Sequence, residues 1–92
     1  MNDRTKEQRV VCAAIQHRDG RVVCGARHFD QLMIDVLKQL PDYMDWRGAE
    51  QGFVDQFGTF LAREQAFEIA EARGQIRERT GAGRVLYSED LY

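Results

Sequence analysis

Residues 9–28, RVVCAAIQHRDGRVVCGARH, alternate apolar with polar or small side chains around a central Asp19-Gly20 pair. An Asp-Gly pair between two such runs is a strong signal for a β-hairpin with a two-residue loop. With that loop, Arg18 pairs with Arg21. The apolar residues of a core then share one face of the predicted hairpin, namely Val11, Ala13, Ile15, Val22, Cys24 and Ala26.

The opposite face of this hairpin is polar, small-residued and basic. Its residues are Cys12, Ala14, Gln16, Arg18, Arg21, Val23, Gly25 and Arg27. Either solvent covers this face, or a second layer or a ligand rests on it. Because the two cysteines fall on opposite faces, we expect no disulfide between them. Two cysteines and two histidines without clustered spacing also give no indication of a metal site.

The next segment predicts a helix over residues 30–40. Asp30 is a good N-cap, Phe29 and Ile34 fit a hydrophobic staple, and Pro41 ends the helix. The predicted buried stripe consists of Leu32, Met33, Val36, Leu37 and Leu40. Residues 42–49, DYMDWRGA, form a loop rich in large apolar side chains, which suits packing against the core or an oligomer partner. Stacking of Trp46 on a base is the less favoured alternative.

Residues 50–76 hold the best-marked local structure. Residues 53–55 and 59–61 are β-branched or aromatic, which favours two strands, and the three residues between them contain Gly58 for the reversal. From Ala62 the apolar positions change to helical spacing, with Ala66, Phe67, Ile69 and Ala70 on one side. Gly74 is a natural residue for the C-terminal end of that helix. The segment predicts a hairpin that runs directly into a helix.

The remaining chain gives a polar loop, then a final strand at residues 85–87, then a C-terminus that ends on Leu91-Tyr92. We expect that apolar end to dock onto the rest of the molecule. The whole pattern predicts an α+β fold in the order ββαββαβ, with an antiparallel sheet and two helices. We expect residues 1–8 to form a flexible arm and residues 9–92 to form a single domain.

Composition narrows the classes of function. With 92 residues, 43% hydrophobic content and a net charge of −2, the chain suits one small domain with no general attraction to polymeric nucleic acid or membranes. Its longest apolar run, residues 10–15, is too short to span a bilayer, and it carries no leader pattern. We therefore expect a cytoplasmic protein. Surplus large apolar side chains at Tyr43, Trp46, Leu91 and Tyr92 predict a homo-oligomer.

Recognisable catalytic motifs are missing from the sequence: it has no nucleophile elbow, Walker loop, dinucleotide fingerprint or metalloprotease helix. Arginines are concentrated near the aromatic hairpin, at Arg63, Arg73 and Arg77. Guanidinium groups bind phosphate bidentately, and the free amides of a helix that lacks a polar N-cap, as at Ala62, also favour anions. Water is the alternative partner for those amides.

The string EQGFVDQFGTFLAREQAFEIAEARGQI, the terminal LYSEDLY and the Arg27-His28 pair after the first hairpin resemble the first-described Thoeris anti-defence proteins of phages. The resemblance covers residues 9–92. It implies a sponge that sequesters, without cleavage and without a cofactor, the cyclic ADP-ribose signals made by bacterial TIR enzymes in the host cytoplasm. Some members also take up cyclic di- or trinucleotides (the signals of CBASS-type defence), and members assemble as homodimers or hexamers.

The resemblance also implies the site. Phe53 would stack on the base, and Arg63, Arg73 and Arg77 would contact phosphate. Arg27, His28 and Gln51 complete the expected ligand-binding set. We place the pyrophosphate near the N-terminus of the second helix. Ala62 and Phe57 depart from the polar residues expected at their positions.

Two other functions compete with this interpretation. One is a nucleotide-cleaving enzyme that uses Glu64 or His28. The other is a small phage interaction module with Trp46 and Tyr92 at a protein interface. Recovery of intact ligand would separate the sponge from the enzyme, and retention of any nucleotide would separate it from the interaction module.

Overall fold

The computed structural model describes residues 8–79 and 83–91 of the chain. Within them, four strands form an antiparallel sheet: β1 (Val10–Gln16), β2 (Val22–Gly25), β3 (Glu50–Asp55) and β4 (Phe60–Ala62). The strand order across the sheet is β2-β1-β3-β4. Helix α1 (Gln31–Lys38) follows β2, and helix α2 (Arg63–Ala72) follows β4 directly. Two short 3₁₀ helices, η1 (Tyr43–Gly48) and η2 (Ser88–Asp90), complete the described part. The predicted α+β fold with an antiparallel sheet and two helices is confirmed.

The first hairpin has a different register from the predicted one. Ile15 pairs with Val23, and the His17 N–H donates to the Arg21 carbonyl at 2.9 Å, so three residues rather than two form the loop. Gly20 takes a φ of 98°, as the last residue of a three-residue loop often does. The predicted core face is therefore confirmed for Ala13 and Ile15 of β1 and wrong by one residue for β2. It is also wrong for Val11, which is 50% exposed, because the register shifts between Val10 and Cys12 and Val10 is buried instead.

This register also changes the predicted position of the cysteines. Ala14 pairs with Cys24, so Cys12 and Cys24 share the same face of the sheet, and the prediction of opposite faces was wrong. Both cysteines are free thiols. Partial burial, with a smaller effect from the neighbouring Cys24 thiol, raises the pKa of Cys12 to about 11. The Cys12 thiol is therefore neutral and poorly nucleophilic at neutral pH.

The second hairpin has the predicted reversal. Gly58 has a φ of 82°. The Asp55 carboxylate accepts hydrogen bonds from the backbone N–H groups of Phe57 and Thr59, both at 2.9 Å, which explains how the turn is held. Helix α2 then begins at Arg63 and ends at Ala72, followed by Gly74 with a φ of 67°. The predicted glycine stop is confirmed.

Helix α1 has the predicted N-cap, because the Asp30 carboxylate accepts the Met33 N–H at 2.9 Å. Its buried stripe is narrower than predicted. Met33 and Leu37 are buried, whereas Leu32 is 62% exposed and Val36 is 40% exposed. The predicted apolar loop that follows is mostly the 3₁₀ helix η1, which carries Trp46 into the core.

The C-terminal segment is docked but does not form the predicted strand. Between residues 83 and 91 the only regular element is η2, so a strand at residues 85–87 was wrong. Instead, the Leu86 N–H donates to the Arg63 carbonyl at 3.2 Å. Leu86 and Leu91 are buried, as the prediction of a docked apolar end requires. The last residue, Tyr92, and the predicted arm, apart from Gln8, lie outside the described residues.

Two apolar clusters lie on the same face of the sheet. One joins Ala13, Phe53 and Leu61 of the strands to Phe67 and other residues of α2 and the C-terminal segment. The second joins β1 and β2 to α1 and η1, through Ile15, Val23, Met33, Leu37 and Trp46. Because strand side chains alternate, the opposite face carries residues such as Cys12, Val54 and Phe60. No described helix packs on that opposite face.

Candidate functional site

Five of the seven predicted ligand-binding residues lie close together beside the first apolar cluster, to which Phe53 itself belongs. Strand β3 carries Gln51 and Phe53 on its core face, and the connection from β2 to α1 brings His28 against the Phe53 ring at 5.2 Å. Arg63 joins them because β4 pairs with β3 and leads straight into α2. Arg27 precedes His28 in the same connection. The direct β4–α2 junction is therefore what positions the arginine.

Arg63 is held on two sides. One terminal nitrogen of its guanidinium donates to the Gln51 side-chain oxygen at 2.6 Å. The guanidinium carbon lies 5.2 Å from the centre of the Tyr87 ring, within the range of a cation–π contact. The Nε atom is buried, and within residues 8–79 and 83–91 no acceptor meets its proton. A buried charged donor without a partner is costly, and a ligand oxygen that reached this nitrogen would remove that cost.

His28 lies beside Arg63 in its neutral form. Its Nε2 is 2.7 Å from the Gly52 carbonyl oxygen, which can only accept, so this nitrogen carries a proton. Burial is the main cause that lowers the pKa of His28, and the positive charge of Arg63 lowers it further, while the Gly52 carbonyl opposes them. The ring therefore stays uncharged at neutral pH and leaves the positive charge to the arginines.

Arg27 and Glu89 form the outer part of the site. Their side chains are 4.0 Å apart and about half exposed, and Glu89 also acts electrostatically on His28. We name the set of Arg27, His28, Gln51, Arg63, Tyr87 and Glu89 the Arg63 cluster. It offers two guanidinium groups, one carboxylate, an amide, an imidazole and a phenol ring.

The position of Phe53 does not fit its predicted role in base stacking. The ring is fully buried in the first apolar cluster, in contact with the edge of His28. Stacking on a base requires an accessible ring face, which this arrangement does not offer. Phe53 instead packs against the His28 ring. In the Arg63 cluster, Tyr87 provides the partly exposed aromatic ring.

Arg73 and Arg77 lie away from the cluster, beyond the far end of α2. The Arg73 Nε donates to the Gln8 carbonyl at 2.9 Å, and Arg73 lines a separate open cavity of about 300 Å³. Arg77 is exposed, and its backbone N–H donates to the Asp90 carbonyl. These two arginines and Arg63 do not meet within one chain.

The N-terminus of α2 adds to the anion preference of the cluster. Ala62 occupies the N-cap position and supplies no side-chain acceptor, as predicted from the sequence. The Gln65 side chain accepts the Ala62 N–H at 3.0 Å and so satisfies one donor just before the helix. The positive end of the helix dipole starts at Arg63 itself, which favours negative charge beside it.

Sequence reasoning missed Tyr87 and Glu89. The LYSEDLY string was recognisable, but residue spacing gave no sign that it folds back onto the start of α2. The bond from the Leu86 N–H to the Arg63 carbonyl creates that arrangement. The signal that could have identified Tyr87 was its residue type, because a tyrosine combines an aromatic ring with a hydroxyl group and is therefore suited to a binding site.

A second group of titratable side chains lies at the other end of the molecule. His17, Asp42 and Asp45 place one potential metal-ligand atom each within 4.8 Å of one another. Arg21 forms an ion pair with Asp42 at 2.5 Å, which lowers the pKa of the Asp42 carboxyl. The Arg18 guanidinium lies 3.9 Å from the Asp45 carboxylate. An open cavity of about 380 Å³ borders His17. The arrangement is that of an ion-pair network.

None of the helices in the described ranges is both long and apolar enough to cross a bilayer. In comparisons with known proteins, neither the curated proteins nor the solved structures give a match. A family model described as the phage T4 y16D protein matches residues 9–92, which is nearly the whole chain. The chain therefore belongs to a phage protein family, that of the phage T4 y16D protein.

Proposed function

We propose that this protein binds an anionic nucleotide signal at the Arg63 cluster and sequesters it without cleavage. The observation behind this proposal is the set of contacts that the Arg63 guanidinium makes. Its guanidinium is held by Gln51 and Tyr87, yet its buried Nε–H has no acceptor among the described residues. A phosphate oxygen placed there would accept that proton and meet the positive charge.

The charges of the cluster favour a phosphate. Two arginines face one carboxylate, and His28 is neutral because its pKa is lowered, so the cluster has a net positive charge in a chain of net charge −2. The Arg27–Glu89 pair is long and exposed and contributes little to stability. A ligand phosphate can compete with Glu89 for Arg27, and the ligand then lies between the two guanidinium groups.

The Tyr87 ring supplies the aromatic surface that a nucleobase needs. It is half-buried, and one of its neighbours is the Arg63 guanidinium at 5.2 Å. Stacking on a protein aromatic ring contributes about 1–3 kcal/mol per base. In this proposal Tyr87 has the stacking role that the sequence resemblance gave to Phe53, and Phe53 holds His28 in place.

The resemblance to Thoeris anti-defence proteins names the ligand class. On that basis the signal is a cyclic ADP-ribose isomer made by a bacterial TIR enzyme. Cyclic di- and trinucleotides are the further ligands to test. Membership of a phage family fits a protein that acts in the cytoplasm of an infected bacterium. A sequestering protein has to compete with the host effector, so we expect a Kd of about nanomolar, or roughly −12 kcal/mol.

Calorimetry with purified cyclic ADP-ribose isomers tests the site. Arg63→Ala should weaken binding by about 1–3 kcal/mol, because it removes a charged donor from the phosphate. Arg63→Lys keeps the charge but loses the planar fork, so it should not restore full affinity. Arg77→Ala is the matched control, since it removes one arginine outside the cluster and should leave the Kd unchanged.

The fate of the ligand separates a sponge from an enzyme. After heat denaturation of the complex, mass spectrometry should recover the cyclic molecule intact. Recovery of ADP-ribose or another opened product would place the protein among nucleotide-cleaving enzymes. Failure of the unmodified protein to retain any cyclic nucleotide would overturn the proposal. Folded Arg63 variants that bind like the parent would move the site elsewhere.

A further inference from the structure

A small apolar pocket lies between α1 and η1, separate from the Arg63 cluster. It has a volume of about 200 Å³. Its walls are the side chains of Phe29, Ile34, Leu37, Tyr43, Met44 and Trp46. Trp46 and Leu37 form the buried floor, whereas Tyr43 and Met44 are 46% and 50% exposed. The pocket is therefore an open depression in which large apolar side chains form the rim.

The Phe29 backbone contributes to this shape. Phe29 has a φ of 55°, which a bulky residue rarely adopts, and its N–H donates to the Met33 sulfur at 3.2 Å. Because of this conformation, the side chains of His28 and Phe29 point in different directions. His28 packs on Phe53, whereas Phe29 lines the pocket and is 39% exposed. Unfavourable backbone conformations of this kind are concentrated at functional positions.

The size of the pocket limits what it can hold. Small-molecule sites usually enclose about 300–1,000 Å³. A depression of about 200 Å³ suits one large apolar side chain, as in a peptide that inserts a single anchor residue. The exposed apolar walls around it provide additional contact area for residues flanking that anchor.

The two charged residues of the lining are both cations, Lys38 and Arg47. Among the residues with described positions, neither has a carboxylate within 4.0 Å. The nearby acids are already engaged, since Asp42 pairs with Arg21 and Asp45 lies near Arg18. A twofold contact between two copies through this pocket would bring these same cations together, which disfavours a second copy as the occupant.

We propose that the pocket between α1 and η1 docks an acidic peptide segment of another protein, with one phenylalanine or leucine as its anchor. The anchor lies over Trp46, and carboxylates on either side of it pair with Lys38 and Arg47. This surface is independent of nucleotide binding at the Arg63 cluster, so either proposal can fail without the other.

Fluorescence provides a direct assay, because Trp46 is the single tryptophan of the chain and forms part of the pocket floor. The probe is a capped peptide with a central Phe-Leu pair and two glutamates on each side. It should shift Trp46 emission saturably, with a Kd in the micromolar range. The same peptide with lysines in place of the glutamates should bind about tenfold more weakly or less.

Variants of exposed residues test the location without endangering the fold. Met44→Glu should weaken binding of the acidic peptide about tenfold, since it puts a like charge beside the peptide's glutamates. The double charge reversal Lys38→Glu with Arg47→Glu should instead favour the lysine peptide. Leu32→Ser is the matched control: Leu32 is exposed on the opposite flank of α1, about 200° around the helix from Ile34, and its loss should leave the Kd within about twofold.

Three results would overturn the proposal. One is no change in Trp46 emission at peptide concentrations up to about 1 mM. Another is equal affinity for the glutamate and lysine peptides, which would remove the role of Lys38 and Arg47. The third is a mass, in analytical ultracentrifugation, that falls from an oligomer to the single chain on Met44→Glu, which would assign the pocket to a contact between copies.

Discussion

Among the described glycines, Gly52 leaves the least room for a Cβ atom. A Cβ atom at this residue would stand 2.2 Å from the Leu61 carbonyl oxygen and 2.6 Å from the Phe60 ring. The carbonyl belongs to a paired strand and cannot move away freely. The Phe60 ring can therefore pack in this position because residue 52 is a glycine. The backbone carbonyl of Gly52 accepts the hydrogen bond from His28 Nε2.

We expect Gly52→Ala to lower the free energy of unfolding by about 1–3 kcal/mol, because it overpacks the sheet. Urea denaturation measures this change. The matched control is Gly48→Ala, since a Cβ there meets no atom within 4 Å and Gly48 does not need a positive φ. Equal stability of the two variants would mean that Phe60 and β4 move aside without cost.

His28 should make stability depend on pH. Its pKa in the folded chain is lowered from the ordinary 6.5, chiefly by burial, so the unfolded chain binds more protons between the two values. The contribution of His28 is complete above about pH 6.5 and is lost as the pH falls through the lowered folded pKa. Denaturation of the parent and of His28→Gln at several values between about pH 8 and pH 5 should show a smaller loss in the variant. The same pH dependence in both proteins would assign the effect to other groups.

At the scale of the elements, the two hairpins close in the same way. Each has a three-residue loop that ends on a glycine with positive φ, Gly20 in the first and Gly58 in the second. The sequence predicted the second loop correctly, because Gln56-Phe57-Gly58 contains no stronger turn pair. In the first, Asp19-Gly20 suggested a two-residue loop, and one extra residue moved β2 to the other register. Local turn signals therefore located both hairpins but not both registers.

That one-residue error had consequences beyond the strand. It put Val23 on the solvent face instead of the core face, and it separated Cys12 from Cys24, which the structure brings together. The helix predictions were more accurate because caps are local: Asp30 bonds within its own helix, and Gly74 follows α2 directly. Strand pairing depends on residues distant in sequence, so its register is harder to derive from one hairpin.

The C-terminal segment depends on Asp90, which is fully buried. Its carboxylate accepts the Tyr87 N–H at 3.0 Å, and its backbone carbonyl accepts the Arg77 and Glu78 N–H groups. We expect Asp90→Ala to lower the free energy of unfolding by about 1–3 kcal/mol, because it leaves a backbone donor without its partner. Asp90→Asn keeps an acceptor and should cost less.

Glu89→Ala serves as the control for this element, since Glu89 is exposed and its substitution should change stability by under about 0.5 kcal/mol. Thermal unfolding followed by circular dichroism compares the three variants. Asp90→Ala should also weaken binding at the Arg63 cluster, because η2 positions Tyr87. An Asp90→Ala protein as stable as the parent would show that apolar burial of Leu86 and Leu91 alone holds the segment.

For the whole molecule, the sequence located part of the candidate site for reasons of local chemistry. Arg63 at the start of an uncapped helix was visible as a residue type, whereas Arg27, His28 and Gln51 were expected from the family resemblance. Pairing of β3 with β4 brings Arg63 to Gln51, and Arg63 also acts electrostatically on His28. What could not be derived was the long-range docking of the C-terminal segment, which adds Tyr87 and Glu89. Arg73 resembled Arg63 in the sequence, but the length of α2 separates them.

The prediction of a homo-oligomer now depends on different residues. Trp46 and Leu91, two of the side chains that suggested it, are buried within the single chain. The stronger reason to expect an oligomer is the sheet face opposite the helices, which carries the exposed Cys24 and the partly exposed Val22 and Phe60. Both apolar clusters lie on the other face, so a second copy is a suitable cover for this one. A stable interface needs to bury about 1,200–2,000 Å² in total.

Light scattering at micromolar concentration should therefore give a mass above 10.7 kDa, the value for one chain. Val22→Glu puts a charge on the sheet face opposite the helices and should return the mass to that of one chain. The control is Val36→Glu, the same change on the exposed side of α1, which should leave the assembly intact. Cys24 reports the same event chemically, because it is exposed in the single chain and lies on this face. Its reaction with a thiol reagent should be slow in the parent and fast in Val22→Glu. A parent protein of 10.7 kDa with rapid Cys24 labelling would show that the face is solvated and the chain monomeric.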